Sequence, residues 1–306
     1  MSITFGSDCE FILTLDGHYK SAVPVLKGTR EKRERTSQGH EFFHDNVLAE
    51  VAIAPGKTAE DVVYNFRTAL KSLVGMIRPC KLTMYASADY PSKELKDPDA
   101  REAGCSEETD AYTRTTLPSQ EDAIKESPFR TAGGHIHLGG GGVLQNSVQI
   151  KLLVYALDLF VGVPSLFMDN NIFARERREM YGKAGSFREK PYGLEYRVLG
   201  PFWARSPETV RLFYDLSLFA LEFVESGKMN RFWQVDEEKL FAGKKDAYRC
   251  HGYEKDLLIA TINECDMKNA EMFKLFIEQY MPTPLIAALD AEIESGEKDP
   301  YESWQL

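Results

Sequence analysis

Apolar and polar positions along the first part of the chain predict strands around one helix. Residues 3–13 and 46–54 have strand-like runs, and residues 81–87 return to a strand. Between them, residues 58–75 place apolar side chains at helical spacing after Thr58, a candidate N-cap. The first 87 residues are therefore predicted to combine several strands with a single helix.

The middle of the chain changes character twice. Residues 88–130 are polar and proline-containing without sustained periodicity, which predicts a long loop. A loop of this length in a compact protein is usually functional, so it is a candidate lid. Beyond it, residues 131–138 are strand-like, residues 145–160 fit a buried helix and residues 194–199 fit a further strand.

The last third of the sequence, residues 206–306, is predicted to be helical. Ser206 is a suitable N-cap with Pro207 at the first helical position, and a second helical pattern spans residues 269–280. We therefore divide the chain into residues 1–205, which hold the densest motifs, and a helical C-terminal region packed on them.

Composition and charge argue against a nucleic-acid-binding protein and a membrane protein. Of the 306 residues, 43% are apolar, which is enough for a folded core, and the net charge of −10 disfavours general nucleic-acid binding. The five cysteines form no CxxC pair, and no secretory segment is recognised, so reduced thiols in the cytoplasm are expected. No apolar run approaches the roughly 18 residues that span a bilayer, so no membrane partner is expected.

Asp8 and Glu10 form the first candidate for chemistry. Residues two apart on a strand point to the same face, so the two carboxylates would lie side by side. Like charges on one sheet face are destabilising unless a cation neutralises them, and Mg²⁺ prefers oxygen ligands. A solvated strand face is the alternative interpretation.

Glu50 lies in an otherwise small and apolar strand-like run. A buried carboxylate there needs a metal ion or a cationic side chain, whereas an edge-strand position would let it reach water. His44 and Asp45, at the entrance of the run, are ambiguous.

His135 and His137 alternate on a glycine-flanked strand, so the two imidazoles share one face. The glycines would let a ligand approach the backbone. They are not followed by the Gly-Lys-Ser or Gly-Lys-Thr sequence that ends a P-loop, so that motif is excluded. A His-x-His pair alone also suits zinc, and two hydrogen-bonded core histidines are the structural alternative.

The basic residues of the chain are concentrated in one glycine-containing loop. Arg178, Lys183 and Arg188 precede a strand on which Glu195 and Arg197 point the same way. Guanidinium groups pair with phosphate oxygens in a bidentate manner, and a carboxylate beside a guanidinium suits a metal ion and a transferring phosphoryl group. A solvated charged loop is the alternative.

Taken in chain order, these motifs resemble those of the phage and bacterial amidoligases of type 2, relatives of glutamine synthetase and glutamate–cysteine ligase. The motifs are GSDCE at 6–10, AEVAIAP at 49–55, GGHIHLG at 133–139 and RREMYGKAGSFREKPYGLEYRVLG at 177–200, and residues 103–112 also have the look of the family. The resemblance covers about the first two-thirds of the chain.

The resemblance implies an α+β fold, with an antiparallel sheet of the glutamine-synthetase type, flanking helices and metal ligands lining the sheet. The ligands of Mg²⁺, or alternatively Mn²⁺, would be Asp8, Glu10, Glu50, His135 and Glu195. The residues that bind ATP would be His137, Lys183, Arg178, Arg188 and Arg197, and the catalytic residues would be Arg197, Arg178, Arg188 and Glu195. The glutamate that follows the Glu50 position in glutamine synthetase is missing here, so either Asp45 compensates or one metal site is less complete.

The activity that the resemblance implies is an ATP- and Mg²⁺-dependent carboxylate–amine ligase that acts through an acyl phosphate and forms ADP. Its partners would be a carboxylate and an amine of the amino acid, peptide or polyamine class, in the cytoplasm, which is the host cytoplasm if a phage encodes it. A phosphagen-kinase-like phosphotransferase and a non-catalytic nucleotide-binding protein are the alternatives, and a homo-oligomer is left open.

Overall fold

The computed structural model describes residues 3–102, 108–117, 125, 127–231, 233–235, 248–250 and 255–306. Half of the motif over residues 103–112 and part of the predicted lid therefore lie outside the described residues. Cys9, Cys80 and Cys265 are free and buried, whereas Cys105 and the side chain of Cys250 are not among the described groups.

Short strands alternate with long helices along the chain. The strands are β1 Thr4–Phe11, β2 Leu13–Leu15, β3 His18–Lys20, β4 Glu34–Arg35, β5 Glu41–Asp45, β6 Leu48–Ala52, β7 Lys81–Leu82, β8 Ser87–Asp89, β9 Glu108–Asp110, β10 Thr116–Leu117, β11 Phe129–Thr131, β12 Gly134–Gly139, β13 Ser186–Lys190, β14 Gly193–Tyr196, β15 Trp233–Val235 and β16 Tyr248–Cys250. The helices are α1 Ala59–Ile77, α2 Ser147–Leu166, α3 Ile172–Met180, α4 Pro207–Glu225, α5 Lys255–Asn263, α6 Met267–Glu278, α7 Thr283–Glu294 and α8 Pro300–Trp304.

The centre of the fold is an antiparallel sheet that has nine strands within the described residues. Its order is β10-β9-β13-β14-β12-β1-β6-β5-β4, and each neighbouring pair runs antiparallel. The coarse prediction of an antiparallel sheet with flanking helices is confirmed. Neighbours such as β1 and β12 lie far apart in sequence, so the motifs of the two halves of the chain meet only in the sheet.

Helix α1 forms where the apolar spacing predicts it. Thr58 accepts a hydrogen bond from the backbone of Asp61, whose carboxylate accepts from the backbone of Thr58, which completes a capping box. The apolar side of the helix, which includes Phe66, is buried beneath the sheet. Trp203 joins the layers, since its ring centroid lies 5.1 Å from that of Phe66 and 6.0 Å from that of Phe5 on β1.

Helix α2 corrects one expectation from the sequence. Ser147–Leu166 is long and apolar enough to cross a membrane by length and composition, but 78% of its most apolar window is buried inside the protein. That burial is the behaviour of a core helix, and α2 packs against α4. The predicted helix over residues 145–160 is thus confirmed but too short, because the chain continues through a π-helical turn, Asp158–Gly162.

The described residues of the C-terminal region are mainly helical and share one hydrophobic core with the sheet. Ser206 caps α4 by accepting from the backbone of Thr209, with Pro207 in its first turn. The short antiparallel pair β15 and β16 is a feature that the sequence analysis did not predict.

The segment predicted as a long loop, residues 88–130, is more structured than expected in its described part. Tyr90, Leu95 and Ala100 are buried in a second, smaller core with Ile12 and Leu48. Strands β9 and β10 extend the edge of the central sheet. A lid role for this segment stays a prediction.

The buried carboxylate of Asp158, in the π-helical turn of α2, connects three separate segments. It accepts hydrogen bonds from the hydroxyls of Tyr112 at 2.9 Å and Tyr196 at 2.7 Å, and from the backbone N–H of Gly185 at 2.7 Å. Burial raises the pKa of Asp158 to about 7. Through these hydrogen bonds, the side chain of Asp158 contacts Gly185 of the basic loop, Tyr112 just after β9 and Tyr196 on β14.

Candidate active site

Two sides of the central sheet differ in chemistry. The apolar side packs on the helices, whereas the other side gathers polar residues from β5, β6, β1, β12, β14 and β13. The strand register aligns them, because Asp8 stands opposite His135, Glu10 opposite Glu50, and Glu195 opposite both His137 and Arg188. Directly opposed residues of antiparallel strands point to the same face, so the separate motifs form one continuous surface.

Asp8, His137 and Glu195 form a group that we call the histidine cluster. One potential ligand atom from each residue lies within 4.8 Å of the other two, and Nε2 of His137 lies 3.0 Å from Oδ1 of Asp8. Nδ1 of His135 lies 2.9 Å from the same oxygen. Burial would raise the pKa of Asp8, but His137 and His135 outweigh it and hold this pKa well below its usual value.

Glu10, Asp45 and Glu50 form a second group, the carboxylate cluster, on strands β1, β5 and β6. A carboxylate oxygen of each lies within 4.8 Å of the others. Burial, together with the neighbouring carboxylates, raises the pKa of Glu50 well above its usual value and that of Glu10 to about 7. Arg30, 2.8 Å from Asp45, is the cation paired with this cluster among the described ion pairs. The cluster thus carries more negative charge than Arg30 neutralises.

Cationic side chains surround Glu195 at the other end of this surface. Lys190 Nζ lies 2.6 Å from its Oε2, Arg188 Nη1 lies 3.3 Å from its Oε1, and Arg197 also donates to Oε1. Arg197 Nε donates to Glu108 on β9 at 3.1 Å. The side chains of Glu195 and Arg197 are almost fully buried, so their positions are fixed by neighbours and not by solvent.

The two histidines differ in environment although they share a strand face. Burial and the nearby Arg197 lower the pKa of His135 to about 4, so its imidazole is neutral at pH 7. Burial also lowers the pKa of His137, but Asp8 outweighs it and raises this pKa above its usual value. Tyr192 stacks on His137 at 5.9 Å between ring centroids and places its hydroxyl 2.9 Å from Nδ1.

The glycines before His135 make room for close contacts. A Cβ on Gly133 would lie 2.4 Å from the imidazole of His135, and one on Gly134 would lie 2.4 Å from the carbonyl oxygen of Gly200. The backbone N–H of Gly133 also donates to Glu10 at 2.5 Å. These glycines therefore leave room for the imidazole of His135 and supply a hydrogen bond to Glu10. These contacts account for the glycines without a ligand at the backbone.

Not all the predicted residues reach this surface. Arg178 is buried, and its Nη1 lies 3.4 Å from Sγ of Cys265 on the helical side. Lys183 is exposed on the loop. The neighbouring Arg177, which the sequence analysis did not single out, holds the backbone in place by donating to the carbonyls of Val198 at 2.7 Å and Arg197 at 3.2 Å.

Sequence reasoning also missed contributors. Glu108 lies in the stretch over residues 103–112 that resembles the family, but its carboxylate was not singled out there. Lys190 and Tyr192 lie inside the quoted basic motif and could have been inferred from it. Asp45 was one of two alternatives, and its place in the carboxylate cluster favours compensation for the missing glutamate.

The two clusters have the chemistry of cation sites. Carboxylate oxygens are suitable ligands for Mg²⁺ or Mn²⁺, and so is the imidazole of His137 once it has lost its proton. The raised carboxyl pKa values of the carboxylate cluster reflect charge that a bound cation would offset. The nearby arginines and lysine suit phosphate oxygens. The residues present therefore fit a metal-bound polyphosphate lying across the surface.

Comparison with known proteins gives one match at the level of sequence families. A family model described as "Phage phiEco32-like COOH.NH2 ligase-type 2" matches residues 123–276. The matched span contains His135, His137, Arg188, Glu195 and Arg197. No curated protein matches the sequence.

Among solved structures, a comparison matches this chain to the crystal structure of a bifunctional glutathione synthetase from Pasteurella multocida. The sequences are 11% identical, the TM-score is 0.44, and the match covers 99% of this chain and 48% of that chain. This chain thus spans about half the length of that protein, and a likeness at this TM-score does not bear on fold or activity. The family match, in contrast, extends over half of the sequence: this chain belongs to the phage phiEco32-like COOH.NH2 ligases of type 2.

Proposed function

We propose that this protein is an ATP- and Mg²⁺-dependent carboxylate–amine ligase that works through an acyl phosphate, on a sheet of the glutamine-synthetase type. One observation carries the proposal: two clusters of potential cation ligands and a set of cationic side chains suited to phosphate lie on one face of a single antiparallel sheet. The family membership supports the ligase class. A cytoplasmic location belongs to the same proposal.

The proposed roles follow from position. Asp8, His137 and Glu195 would hold one metal ion, and Glu10, Asp45 and Glu50 would hold another. His135, although predicted as a ligand, bonds through Nδ1 to Asp8, so we assign it to positioning that carboxylate. A Mg²⁺ ion held by these residues would supply positive charge to offset the negative charge that develops during transfer.

The reaction activates a poor electrophile. An oxygen of the substrate carboxylate attacks the γ-phosphorus of ATP, the bond from that phosphorus to the bridging oxygen breaks, and ADP leaves. Arg197 and Arg188 are placed to pair with the oxygens of the transferring phosphoryl group. The amine then attacks the acyl carbon, inorganic phosphate leaves, and a nearby carboxylate accepts the proton from nitrogen.

An isotope experiment tests this order of events. A screen that measures ADP release with pooled carboxylates, amino acids and polyamines would first identify the substrates. The carboxylate is then supplied with both oxygens carrying ¹⁸O, and one labelled oxygen is expected in inorganic phosphate for each amide formed. Label in AMP would contradict the acyl-phosphate mechanism, and a phosphorylated amine without release of labelled phosphate would indicate a kinase that acts on nitrogen.

Tyr192 offers a prediction about the histidine cluster. Its hydroxyl and its ring together fix the orientation of His137, so that Nε2 faces Asp8. Partners that orient a metal-binding histidine typically contribute about 10–100-fold to metal affinity or activity. Tyr192→Phe, which keeps the stacking, is expected to weaken Mg²⁺ activation about 10-fold, and Tyr192→Ala more.

The readout for Tyr192 is the Mg²⁺ concentration that gives half-maximal ADP release. Tyr85→Phe is the matched control, because Tyr85 is similarly exposed and stacks on Phe173 at 4.3 Å, outside the clusters. Equal Mg²⁺ dependence in both tyrosine variants would exclude the orienting role.

A further inference from the structure

A cavity of about 400 Å³ lies where strand β5 ends at one edge of the polar surface. We call it the edge cavity, and its charged lining residues are Arg30, Glu31, His44, Asp45, Asp99 and Glu102. Asp45 also belongs to the carboxylate cluster, so the cavity and the cluster share a wall. The volume suits a small-molecule substrate.

The lining of the edge cavity is strongly acidic. The guanidinium of Arg30 is ion-paired with Asp45 at 2.8 Å, which leaves the carboxylates of Glu31, Asp99 and Glu102 facing the cavity. A lining of this kind repels a carboxylate or a phosphate group and attracts a molecule that carries more than one positive charge.

His44 gives a second, independent indication of a ligand. Its side chain is 9% exposed and lines the cavity, and its Nε2 lies 4.0 Å from Oδ2 of Asp99, beyond hydrogen-bond distance. Within the part of the chain that the structure describes, the ring makes no hydrogen bond. The ring is largely buried but its nitrogens keep some solvent exposure, so a ligand group in the cavity can form a hydrogen bond with His44.

The charge on the polar face of the sheet changes from basic at β13 to acidic at β5. Arg188 and Lys190 lie on β13 at one side, the histidine cluster lies in the middle, and the carboxylate cluster and the edge cavity lie at β6 and β5. Anionic reactants, the carboxylate and the phosphates of ATP, are therefore favoured at the basic side. The acidic side attracts the amine, because this reactant is protonated and positively charged in solution.

We propose that the edge cavity binds the amine substrate and that this amine carries at least two positive charges, as diamines and polyamines do. The inference rests on the proposed ligase function and names the substrate class of the same site. The carboxylates of Asp99 and Glu102 recognise the charged end that does not react. The other nitrogen is directed toward the carboxylate cluster through the shared wall at Asp45.

Calorimetric titration of the full chain with spermidine, in saturating Mg²⁺ and low salt, tests the proposal. The excess Mg²⁺ keeps spermidine from the metal clusters. The double variant Asp99→Asn/Glu102→Gln is expected to weaken spermidine binding about 10-fold, since it removes two attractive charges from exposed positions that do not support the core. Putrescine is expected to bind more tightly than its mono-acetylated form, which has lost one charge.

The matched control is Asp89→Asn/Glu271→Gln, which changes the net charge equally at exposed positions outside the cavity. It is expected to bind spermidine within about twofold of the wild type. Equal weakening in the two double variants would reduce the effect to overall charge and overturn the proposal. Equal affinity for putrescine and its mono-acetylated form would also overturn it.

Hydroxylamine separates this inference from the proposed function. It is small and uncharged at neutral pH, so it traps an acyl phosphate as a hydroxamate without recognition of a second charge. The wild-type protein is expected to form hydroxamate from ATP and its carboxylate substrate. Weakened spermidine binding with no hydroxamate from any carboxylate would contradict the ligase mechanism alone, whereas hydroxamate formation with unchanged spermidine binding would contradict the amine site alone.

Discussion

Glu50→Gln is expected to lower turnover at least about 100-fold and, in the absence of metal ions, to make the protein more stable at pH 8. Glutamine keeps the shape of the side chain but removes a charge from the carboxylate cluster. Outer partners of metal ligands contribute about 10–100-fold, and a direct ligand should contribute no less. Turnover is measured as ADP release, and stability as the melting temperature in EDTA.

The direction of the stability effect follows from linkage. The pKa of Glu50 is raised by burial and then by Asp8, Asp45 and Glu10, so the folded state holds this proton more tightly than the unfolded state does. Stability is therefore lost as pH rises above the ordinary glutamate value of 4.5 and through the raised pKa. The variant escapes this loss, so its advantage is expected to grow with pH and to vanish near pH 4.5.

In EDTA at pH 8 the variant is therefore expected to melt at a higher temperature than the wild type. Added Mg²⁺ should stabilise the wild type more than the variant. Glu292→Gln is the matched control, because Glu292 is equally buried but accepts a hydrogen bond from Thr209 at 2.8 Å on the far side of the protein. That control should lose stability without changing its response to Mg²⁺, and a Glu50 variant that behaved in the same way would refute a metal-binding role.

Arg197→Lys is expected to reduce turnover by about 10²–10³-fold while the affinity for ATP stays within about threefold. Lysine keeps the positive charge beside Glu195 and Glu108 but cannot reproduce the planar pair of donors. Loss of one donor to developing charge typically costs a factor of this size in turnover. Steady-state ADP release gives turnover, and calorimetry with a non-hydrolysable ATP analogue gives affinity.

Two further arginines make the comparison specific. Arg130→Lys is the control, because Arg130 is also buried but donates to the backbone carbonyls of Ser127, Phe129 and Ala100. It should lower stability and leave turnover per folded molecule intact. Arg178→Lys tests the catalytic role that the sequence predicted for Arg178. If it loses as much turnover as Arg197→Lys, Arg178 must contact the phosphate despite its contact with Cys265. That result would contradict the proposed arrangement.

Local signals predicted the elements whose causes are local. Thr58 and Ser206 cap α1 and α4 because their side chains satisfy backbone N–H groups only three residues away. The end of α2 was missed because Gly162 and Pro164 are helix-breaking signals. The chain nevertheless continues, since a π-helical turn widens the helix just before Pro164, which then falls in the first turn of the following α-helical segment.

The candidate site was predictable residue by residue but not as an arrangement. Period-two alternation correctly places Asp8 and Glu10 on one face. It cannot say that Asp8 faces His135 whereas Glu10 faces Glu50, because those partners are chosen by long-range strand pairing. The single acidic pair expected from the sequence is therefore divided between two clusters. Glu108 joins the site through β9, a short strand that the sequence analysis did not predict.

The hydrogen bonds of Asp158 have a consequence for the energetics of catalysis. Tyr112 follows β9, which carries Glu108, and Gly185 lies in the basic loop. The buried carboxylate of Asp158 therefore fixes the positions of the two segments that flank Arg197. The ordering of this edge is thus completed when the protein folds. A substrate that arrives finds donors that need little reorganisation, and the binding energy that would otherwise order the loop remains available to lower the barrier.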